Sequence, residues 1–340
     1  MKEKVLYIFI IFSLIISCTV ENEENPYSEP KNEWVFIACE GNYGSSNGSI
    51  TMINEKGDIK EITEIGDVVN SLSVYKNKLI VLINNSHKIM IYDIYEDGLR
   101  MPGIEIDTQS SGPREMVVVD DKIYFTNWNS SDVKIFDLQN YIIEDTIQLS
   151  GYPESIVYSD GDLWVGIQMN DDYSDSNKLH KIDPINKTVK ETYEIGFGPT
   201  DIEINGKSIY VANTYYDSNY NAFYGSTQLD SDSSQISINN YGPGVVCGGD
   251  VLILNNEIYR SFSGGIAKLS EDLEIIEETK IGDFPPAQLY ASETNDDKIY
   301  FALTNFTDVN VVKVYDQENN ELSSYEVGII PGDFAFWKSE

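Results

Sequence analysis

The residues of this sequence with the clearest chemical potential are amide, acidic and aromatic side chains that directly follow short apolar runs. Asn and Gln both donate and accept hydrogen bonds, and aromatic rings contribute a large contact area with few rotatable bonds. Gathered on one concave surface, such side chains suit the non-covalent binding of a large polar molecule. The candidate binding residues are Glu40, Asn42, Asn85, Asn127, Trp128, Gln168, Asn213, Tyr215, Asn305 and Phe306.

Each of these residues also has a purely structural interpretation. Asn, Asp and Gly are common in turns because of their backbone preferences alone. Asn127 is also consistent with capping a hairpin, and Trp128 with covering a neighbouring structural unit. The structural role is favoured for any single residue, whereas the set as a whole favours binding.

Residue types that usually carry catalysis or hold metals are sparse. The only histidines, His87 and His180, lie far apart, and Cys39 and Cys247 sit in apolar or Gly-rich surroundings. No nucleophile is spaced with a base as catalysis requires, so we expect no catalytic residue, no metal, no cofactor and no enzyme activity. The sequence leaves open whether Cys39 and Cys247 are paired.

Two acidic loops resemble calcium-binding loops in their oxygen spacing. They are residues 170–175 (NDDYSD) and 230–233 (DSDS). Neither contains the Gly and the distal Glu of an EF-hand loop. We therefore expect solvated acidic loops, with calcium binding as the alternative.

The elements that must position the candidates are clearest in residues 112–149. Four runs rich in β-branched and aromatic residues are separated there by turn formers such as Asp120-Asp121 and Asn127 to Ser131. This pattern predicts four antiparallel strands joined by hairpins. Such a small sheet cannot bury both of its faces alone, so it requires neighbours.

The neighbours come from repetition. An aromatic or aliphatic pair marks the second strand of each unit and recurs every 40 to 49 residues, at Trp34, Leu79, Ile123, Leu163, Ile209, Ile258 and Ile299. A period of this length with four strands per unit is typical of propellers. The sequence thus predicts an all-β, seven-bladed β-propeller with four antiparallel strands per blade. Residues 331–337 resemble the start of a blade and then stop, so we expect this C-terminal strand to complete the N-terminal blade.

The predicted ring places charged residues at its centre. Arg114, Glu115, Glu154 and Asp201 all follow turns between blades, where the first strand of a blade begins. First strands surround the axis of a propeller, so these side chains should line the mouth of a central funnel.

The N-terminal residues predict where the protein is located in the cell. Residues 1–17 have a short basic start and an apolar run of twelve residues, which is too short to span a bilayer. Ile15-Ile16-Ser17 then precedes Cys18, as in a bacterial lipobox, which implies cleavage before Cys18 and a lipid anchor on its thiol. Residues 18–32 form an acidic tether, and residues 33–340 the propeller. We expect an outer-membrane lipoprotein on the cell surface, with the periplasmic face as the alternative.

The net charge of the chain limits the classes of partner that it is expected to bind. Asp plus Glu exceed Lys plus Arg by 56 to 23, a net charge of −33. Nucleic-acid binding requires a basic surface. The composition therefore argues against a nucleic-acid partner.

Several short segments of the sequence resemble those of the YVTN/YncE-like seven-bladed propellers, and in particular those of their cobalamin-capturing lipoproteins. They are residues 39–45 (CEGNYGS), 70–72 (NSL), 84–86 (NNS), 113–116 (PREM), 126–128 (TNW) and 151–156 (GYPESI). The resemblance covers blades one to four and weakens in blades five and six. It implies a binding protein that captures a small molecule, such as a corrinoid, for a TonB-dependent outer-membrane transporter.

Two other classes of function remain open. Some propellers hold calcium in the funnel and open lactones, and Glu40, Glu115 and Glu154 would be the candidate ligands in such a hydrolase. The rim of the propeller would alternatively bind a protein, as in a scaffold or an adhesion module.

Overall fold

A computed structural model describes residues 32–244, 249–307 and 310–339 of the chain. The described residues form strands and turns without helices, arranged as seven sheets around one axis. Accordingly, no helix in these ranges is long and apolar enough to cross a membrane. The predicted seven-bladed all-β propeller is confirmed, and its compact unit spans Asn32–Ser339.

Each blade is an antiparallel sheet, and the strand nearest the axis is the first strand in blades two to seven and the C-terminal strand in blade one. Blade one contains β1 (Glu33–Cys39), β2 (Gly48–Asn54) and β3 (Ile59–Gly66). Blade two contains β4 (Val69–Tyr75), β5 (Lys78–Ile83), β6 (Lys88–Tyr95), β7 (Gly98–Leu99) and β8 (Ile104–Asp107). Blade three contains β9 (Pro113–Val119), β10 (Lys122–Asn127), β11 (Asp132–Asp137) and β12 (Ile142–Gln148). Blade four contains β13 (Tyr152–Ser159), β14 (Asp162–Met169), β15 (Asp175–Asp183) and β16 (Thr188–Glu194).

The remaining blades follow the same plan. Blade five contains β17 (Pro199–Asn205), β18 (Ser208–Tyr216), β19 (Ala222–Asp230) and β20 (Ile236–Pro243). Blade six contains β21 (Val251–Leu254), β22 (Glu257–Phe262), β23 (Gly265–Leu269) and β24 (Ile275–Ile281). Blade seven contains β25 (Leu289–Asn295), β26 (Lys298–Thr304), β27 (Asn310–Tyr315) and β28 (Glu321–Glu326), and the chain ends in β29 (Pro331–Lys338). In blade two, β7 and β8 share the outermost position, because both pair with β6.

The ring closes as the sequence predicts. Strand β29 pairs antiparallel with β1, so that Trp337 lies opposite Trp34 and Phe334 opposite Ile37. The first blade is therefore built from both ends of the described chain, and no free strand edge remains at the junction.

The hydrophobic core lies between blades. Ile80 and Leu82 of blade two, for example, pack in one cluster with Ile123, Phe125 and Phe136 of blade three. Strands buried on both faces carry runs of apolar residues, as in β5, whose last five residues are all buried. Each blade thus buries its faces against its neighbours, which explains why one blade alone would not be stable.

The propeller has two unlike faces. The turns between second and third strands and the connections between blades lie on the same face, which we call the loop face. Backbone hydrogen bonds show this proximity: Trp128 N donates to Gly112 O, and Thr214 N donates to Gly198 O. The hairpins between first and second strands lie on the opposite face, the turn face.

Candidate functional site

Two of the four charges predicted at the mouth of the funnel, Arg114 and Glu154, come together there, whereas Glu115 and Asp201 lie in the wall of a cavity below it. Arg114, near the start of β9, donates from Nε and Nη2 to the two carboxylate oxygens of Glu154 in β13, at 2.9 and 2.5 Å. Its Nη1 donates to Asn70 Oδ1 at 2.9 Å, and Asn70 Nδ2 returns a bond to the carbonyl of Arg114 at 2.8 Å. The guanidinium is therefore fixed by groups from the blades on both sides.

Glu40 completes the mouth from blade one. Its carboxylate accepts a hydrogen bond of 2.7 Å from the hydroxyl of Tyr290. Burial raises the pKa of Glu40, and the charges of Arg114 and Glu154 act on the same carboxyl in opposite directions. We call Glu40, Arg114, Glu154 and Tyr290 the mouth cluster.

A glycine makes room for this cluster. A Cβ at Gly332 would lie 2.9 Å from Glu40 Oε1 and 3.3 Å from Cε1 of Tyr290. The absence of a side chain at Gly332 lets the hydrogen-bonded pair approach β29. This glycine keeps the mouth cluster beside the inner strand.

Aromatic side chains extend outward from Arg114 along the loop face. The guanidinium lies over the ring of Trp128, 4.4 Å from its centroid. Trp128 meets Tyr152 edge-on at 5.7 Å, and Tyr152 contacts Tyr173 at 5.1 Å. Tyr173 is 70% exposed, so this row ends in a ring that is open to solvent.

Two further aromatic groups occupy the same face. Tyr215 stacks on Phe223 at 5.5 Å and contacts Phe197 at 6.0 Å. Phe306 meets Tyr290 edge-on at 5.8 Å, next to the mouth cluster. The predicted residues Trp128, Tyr215 and Phe306 therefore all lie on the loop face, in separate aromatic groups.

Several predicted amides act within the turns of this face. Asn85 Nδ2 donates to Asp67 Oδ2 at 2.6 Å. Asn42 accepts a weak 3.5 Å bond from Asn47, and Asn305 Oδ1 accepts the hydroxyl of Thr307 at 2.8 Å. Gln168 is half-buried near the end of β14. These side chains reach the loop face, and the first three help to shape its loops.

Asn127 and Asn213 occupy equivalent positions at loop-face ends of second strands, and both are fully buried. Asn127 donates to Phe125 O and accepts from Ser111 Oγ, while Asn213 donates to Gly196 O and accepts from Thr227 Oγ1. Their amides tie second strands to neighbouring segments. The structure thus places them in the hairpin-capping role and out of reach of a ligand on the surface.

Below the mouth, the axis contains a cavity of about 170 Å³. Six carboxyl groups from inner strands lie in its wall, and they are Glu115, Asp201, Glu203, Asp250, Glu293 and Asp333. We call them the axial carboxyls. Of these six residues, the sequence predicts only Glu115 and Asp201 near the axis. Acidic and apolar residues alternate in β17, from Asp201 to Ile204. Because residues i and i+2 lie on the same face of a strand, this alternation indicates that Glu203 faces the axis together with Asp201.

Some axial carboxyls join neighbouring blades. Asp333 accepts from Leu72 N at 2.6 Å, Asp201 from Val251 N at 2.9 Å, and Asp250 from Ser292 N at 2.7 Å. Each bond links the inner strand of one blade to that of the next. These three side chains therefore stabilise the ring as well as lining its cavity.

The axial carboxyls hold protons more tightly than carboxyls in water. Burial, with the nearby charge of Asp250, raises the pKa of Asp201 to about 7. Burial and the charge of Asp201 raise the pKa of Glu203 to about 8, and burial raises that of Asp333 to about 7. The pKa of Glu293 also lies well above its usual value, chiefly because of burial and then the charge of Glu203.

The acidic loops behave as capped turns. Asp172 Oδ1 accepts from both the backbone N–H and the hydroxyl of Ser174, and Asp230 does the same for Ser233. In the described ranges, no three side chains of His, Cys, Asp or Glu are grouped so that they could hold a metal ion. The carboxylates of Asp172 and Asp230 thus cap their own turns.

Two of the three cysteines, Cys18 and Cys247, lie outside the described residues, as do the predicted signal segment 1–17 and residues 18–31 of the tether. Cys39 is a buried thiol whose pKa is raised to about 12, chiefly by burial. Such a thiol is a poor nucleophile at neutral pH. Cys39 fits the small buried hydrophobe that its sequence context predicts.

Comparisons with known proteins identify the fold. No protein-family model matches the sequence, and no curated protein matches it. Among solved structures, a Bacteroides fragilis protein proposed to be a 6-phosphogluconolactonase has a TM-score of 0.67 at 13% identity, covering 92% of this chain and 100% of that one. A Lactobacillus plantarum protein has a TM-score of 0.62 at 11% identity, covering 91% and 100%. Apo AztD from Citrobacter koseri has a TM-score of 0.57 at 13% identity, covering 91% and 98%.

Proposed function

We propose that this protein is an outer-membrane lipoprotein that captures a small-molecule nutrient on its loop face and passes it to a TonB-dependent transporter. The carrying observation is the distribution of exposed aromatic side chains. Among the described residues, eight aromatic side chains are exposed, and six of them lie on the loop face: Tyr43, Tyr173, Phe197, Tyr216, Tyr220 and Phe306. Exposed aromatic rings on one face offer rigid contact area to a ligand at low entropic cost.

The polar groups of the face complement these rings. The mouth cluster provides carboxylate, guanidinium and phenol groups, and the rings of Trp128 and Phe306 contact it. Rigid aromatic area together with a few oriented polar groups is the usual composition of a site for a sizeable polar molecule.

We propose binding without catalysis. The candidate carboxylates form bonds within the protein: Arg114 holds both oxygens of Glu154, Tyr290 donates to Oε1 of Glu40, and Ser71 donates to the axial carboxyl Glu115 at 2.9 Å. A general base or a metal ligand needs a free lone pair facing the substrate. Both oxygens of Glu154 are engaged in this way, which supports the binding role over the hydrolase alternative at this residue.

The described chain begins on the turn face. Strand β1 starts at Glu33 on the turn face, where Ser339 N bonds to Asn32 O, and it runs towards Glu40 on the loop face. Asn32, the first described residue, to which the proposed tether would be covalently joined, therefore lies on the turn face. Protease treatment of intact cells tests the surface location, since a protein on the periplasmic side would survive.

Titration calorimetry with cyanocobalamin tests the narrowest form of the proposal, in which the ligand is a corrinoid. We expect saturable binding in the micromolar range or tighter. Tyr173→Ala should weaken it, whereas Tyr158→Ala, which removes an exposed ring from the turn face, should not. No heat at micromolar concentrations would remove the corrinoid, and equal losses in both variants would move the site off the loop face.

A further inference from the structure

A buried cation lies at the junction of blades five and six. Arg260, in β22, is 1% exposed. Its Nε donates to Gly225 O at 3.4 Å and its Nη1 donates to Asp250 O at 3.0 Å, so both bonds go to uncharged carbonyls. Its Nη2 has no hydrogen-bond partner in the described part of the chain. The guanidinium therefore keeps one donor free inside the protein.

The charge of this guanidinium has no direct partner either. Among the described residues, Arg260 forms no ion pair. The fields of Asp250 and Asp201 reach it, but these carboxylates accept hydrogen bonds from Ser292 N and Val251 N. Burial lowers the pKa of Arg260, and the nearby negative charges offset this effect only in part. A buried charge without a partner is costly, so a compensating anion would stabilise this junction.

A second free donor is directed to the same place. Thr214, in β18, is 7% exposed, and its Oγ1 has no hydrogen-bond partner among the described residues. A Cβ at Gly249 would lie 3.0 Å from Thr214 Oγ1 and 3.7 Å from Arg260 Nη2. The two free donors thus lie within 4 Å of one point, beside a residue that has no side chain to fill the space. One small species at this point would contact both.

The chemistry of the two groups selects that species. A guanidinium only donates hydrogen bonds, and the Thr214 hydroxyl is available to donate a second one. A water molecule would accept both bonds, but it would leave the positive charge uncompensated. A monovalent anion accepts both bonds and also neutralises the guanidinium. The Thr200 hydroxyl, 3.6 Å from the same point, already donates to Ala212 O, so it adds no third free donor.

We propose that the junction of blades five and six binds one small monovalent anion, such as chloride, between Nη2 of Arg260 and Oγ1 of Thr214. The space favours an ion of one atom over a polyatomic anion, because even a single Cβ at Gly249 would approach Thr214 Oγ1 to 3.0 Å. Since Thr214 belongs to blade five and Arg260 to blade six, the ion would link the two blades. Binding to the folded protein alone would raise its stability.

Crystals of the protein grown in sodium bromide would locate the ion directly. Bromide substitutes for chloride and scatters X-rays anomalously near its absorption edge, whereas water does not. We expect an anomalous peak within hydrogen-bonding distance of both Arg260 Nη2 and Thr214 Oγ1. A water molecule there without an anomalous peak would overturn the proposal.

Thermal unfolding measures the same binding in solution. Sodium gluconate, whose anion is too large for the space, is replaced stepwise by sodium chloride at constant sodium concentration. The unfolding midpoint of the natural protein should rise with chloride, as it does when a ligand binds only the folded state. Thr214→Val should require about tenfold or more chloride for the same rise, because one hydrogen bond to a charged group is lost. Arg260→Met should abolish the rise.

Thr146→Val is the matched control, because it removes a hydroxyl from an exposed position on β12 and should leave the chloride response unchanged. If Arg260→Met fails to fold, Thr214→Val decides the question alone. A chloride response in Thr214→Val equal to that in Thr146→Val would show that the effect is general to the salt and that the site is wrong. The measurement involves neither the aromatic rings of the loop face nor cyanocobalamin, so its outcome is independent of the proposed nutrient capture.

Discussion

Arg114 and Glu154 face each other across the boundary between blades three and four in a two-bond ion pair. Their side chains are 20% and 10% exposed, so the pair is largely shielded from water. Glu40 and Glu115 lie within the field of the same guanidinium. One cation therefore compensates several acidic groups where the funnel opens.

Removing the guanidinium of Arg114 should lower the free energy of unfolding. Arg114→Met leaves Glu154 buried without a partner, and breaking one side of a buried pair costs about 3 kcal/mol or more. We expect a clearly lowered midpoint in urea or thermal unfolding. Arg114→Met/Glu154→Met should recover part of the loss, because it removes both charges. A double variant no better than the single one would show that the pair is not the source of the effect.

Ring closure should depend on the last strand. Trp337 is 6% exposed, packs in the cluster that contains Trp34, and donates from Nε1 to Asn77 Oδ1 at 3.0 Å. Trp337→Ala should cost about 3–5 kcal/mol, as large-to-small changes in a core do. Ile185→Ala, at a side chain 85% exposed in a turn, is the control and should leave the unfolding midpoint unchanged.

The fold could be predicted because its signal repeats. Seven aromatic or aliphatic pairs mark seven second strands, and the incomplete first and last units fit together as Trp34 opposite Trp337. Periodicity of apolar residues determines strands, and loop composition determines where they end. The doubled outer position in blade two, β7 and β8, has no counterpart in the repeat and was not predictable from it.

The candidate binding site was less predictable than the fold, because polar residues occur in loops both to form turns and to bind ligands. Asn127 and Asn213 have the same residue type as Asn85, but they lie within second strands with their amides turned into the protein. Their role depends on partners such as Ser111 and Thr227, which are distant in sequence. Glu203 and Glu293 were not predicted because each lies further along its inner strand than the turn that precedes it. Only the strand face on which each side chain lies indicates that it is near the axis.

Stability should fall as the pH rises from about 5 to 9. The relevant groups around the axis are Glu115, Asp201, Glu203, Asp250, Glu293 and Asp333, with Arg260 as the nearest cation to Asp201 and Asp250. Carboxyls with raised pKa values, such as Asp201 at about 7 and Glu203 at about 8, bind more protons folded than unfolded. Their contribution is thus complete below the unfolded pKa, near 4, and is lost as the pH passes through 7 to 8.

Thermal unfolding between pH 5 and pH 9 measures this slope. Glu203→Gln should flatten it, because the amide does not titrate, whereas Glu278→Gln on the outer strand should leave it unchanged. A midpoint that rises with pH across this window would contradict protonated axial carboxyls.

Two glycines with the same backbone conformation should respond very differently to a methyl group. Gly198 and Gly206 both have φ = +62°, so an Ala at either position bears the same left-handed strain, about 1 kcal/mol. A Cβ at Gly198 would lie 1.7 Å from Thr214 O, where the blade connection crosses the end of β18, while a Cβ at Gly206 meets nothing within 4 Å.

Gly206→Ala should therefore cost only the strain. Gly198→Ala must also displace backbone that carries the bond from Thr214 N to Gly198 O, so it should lower the unfolding midpoint several times further. Equal losses in the two variants would mean that the loop-face connection of blade five does not approach β18 this closely.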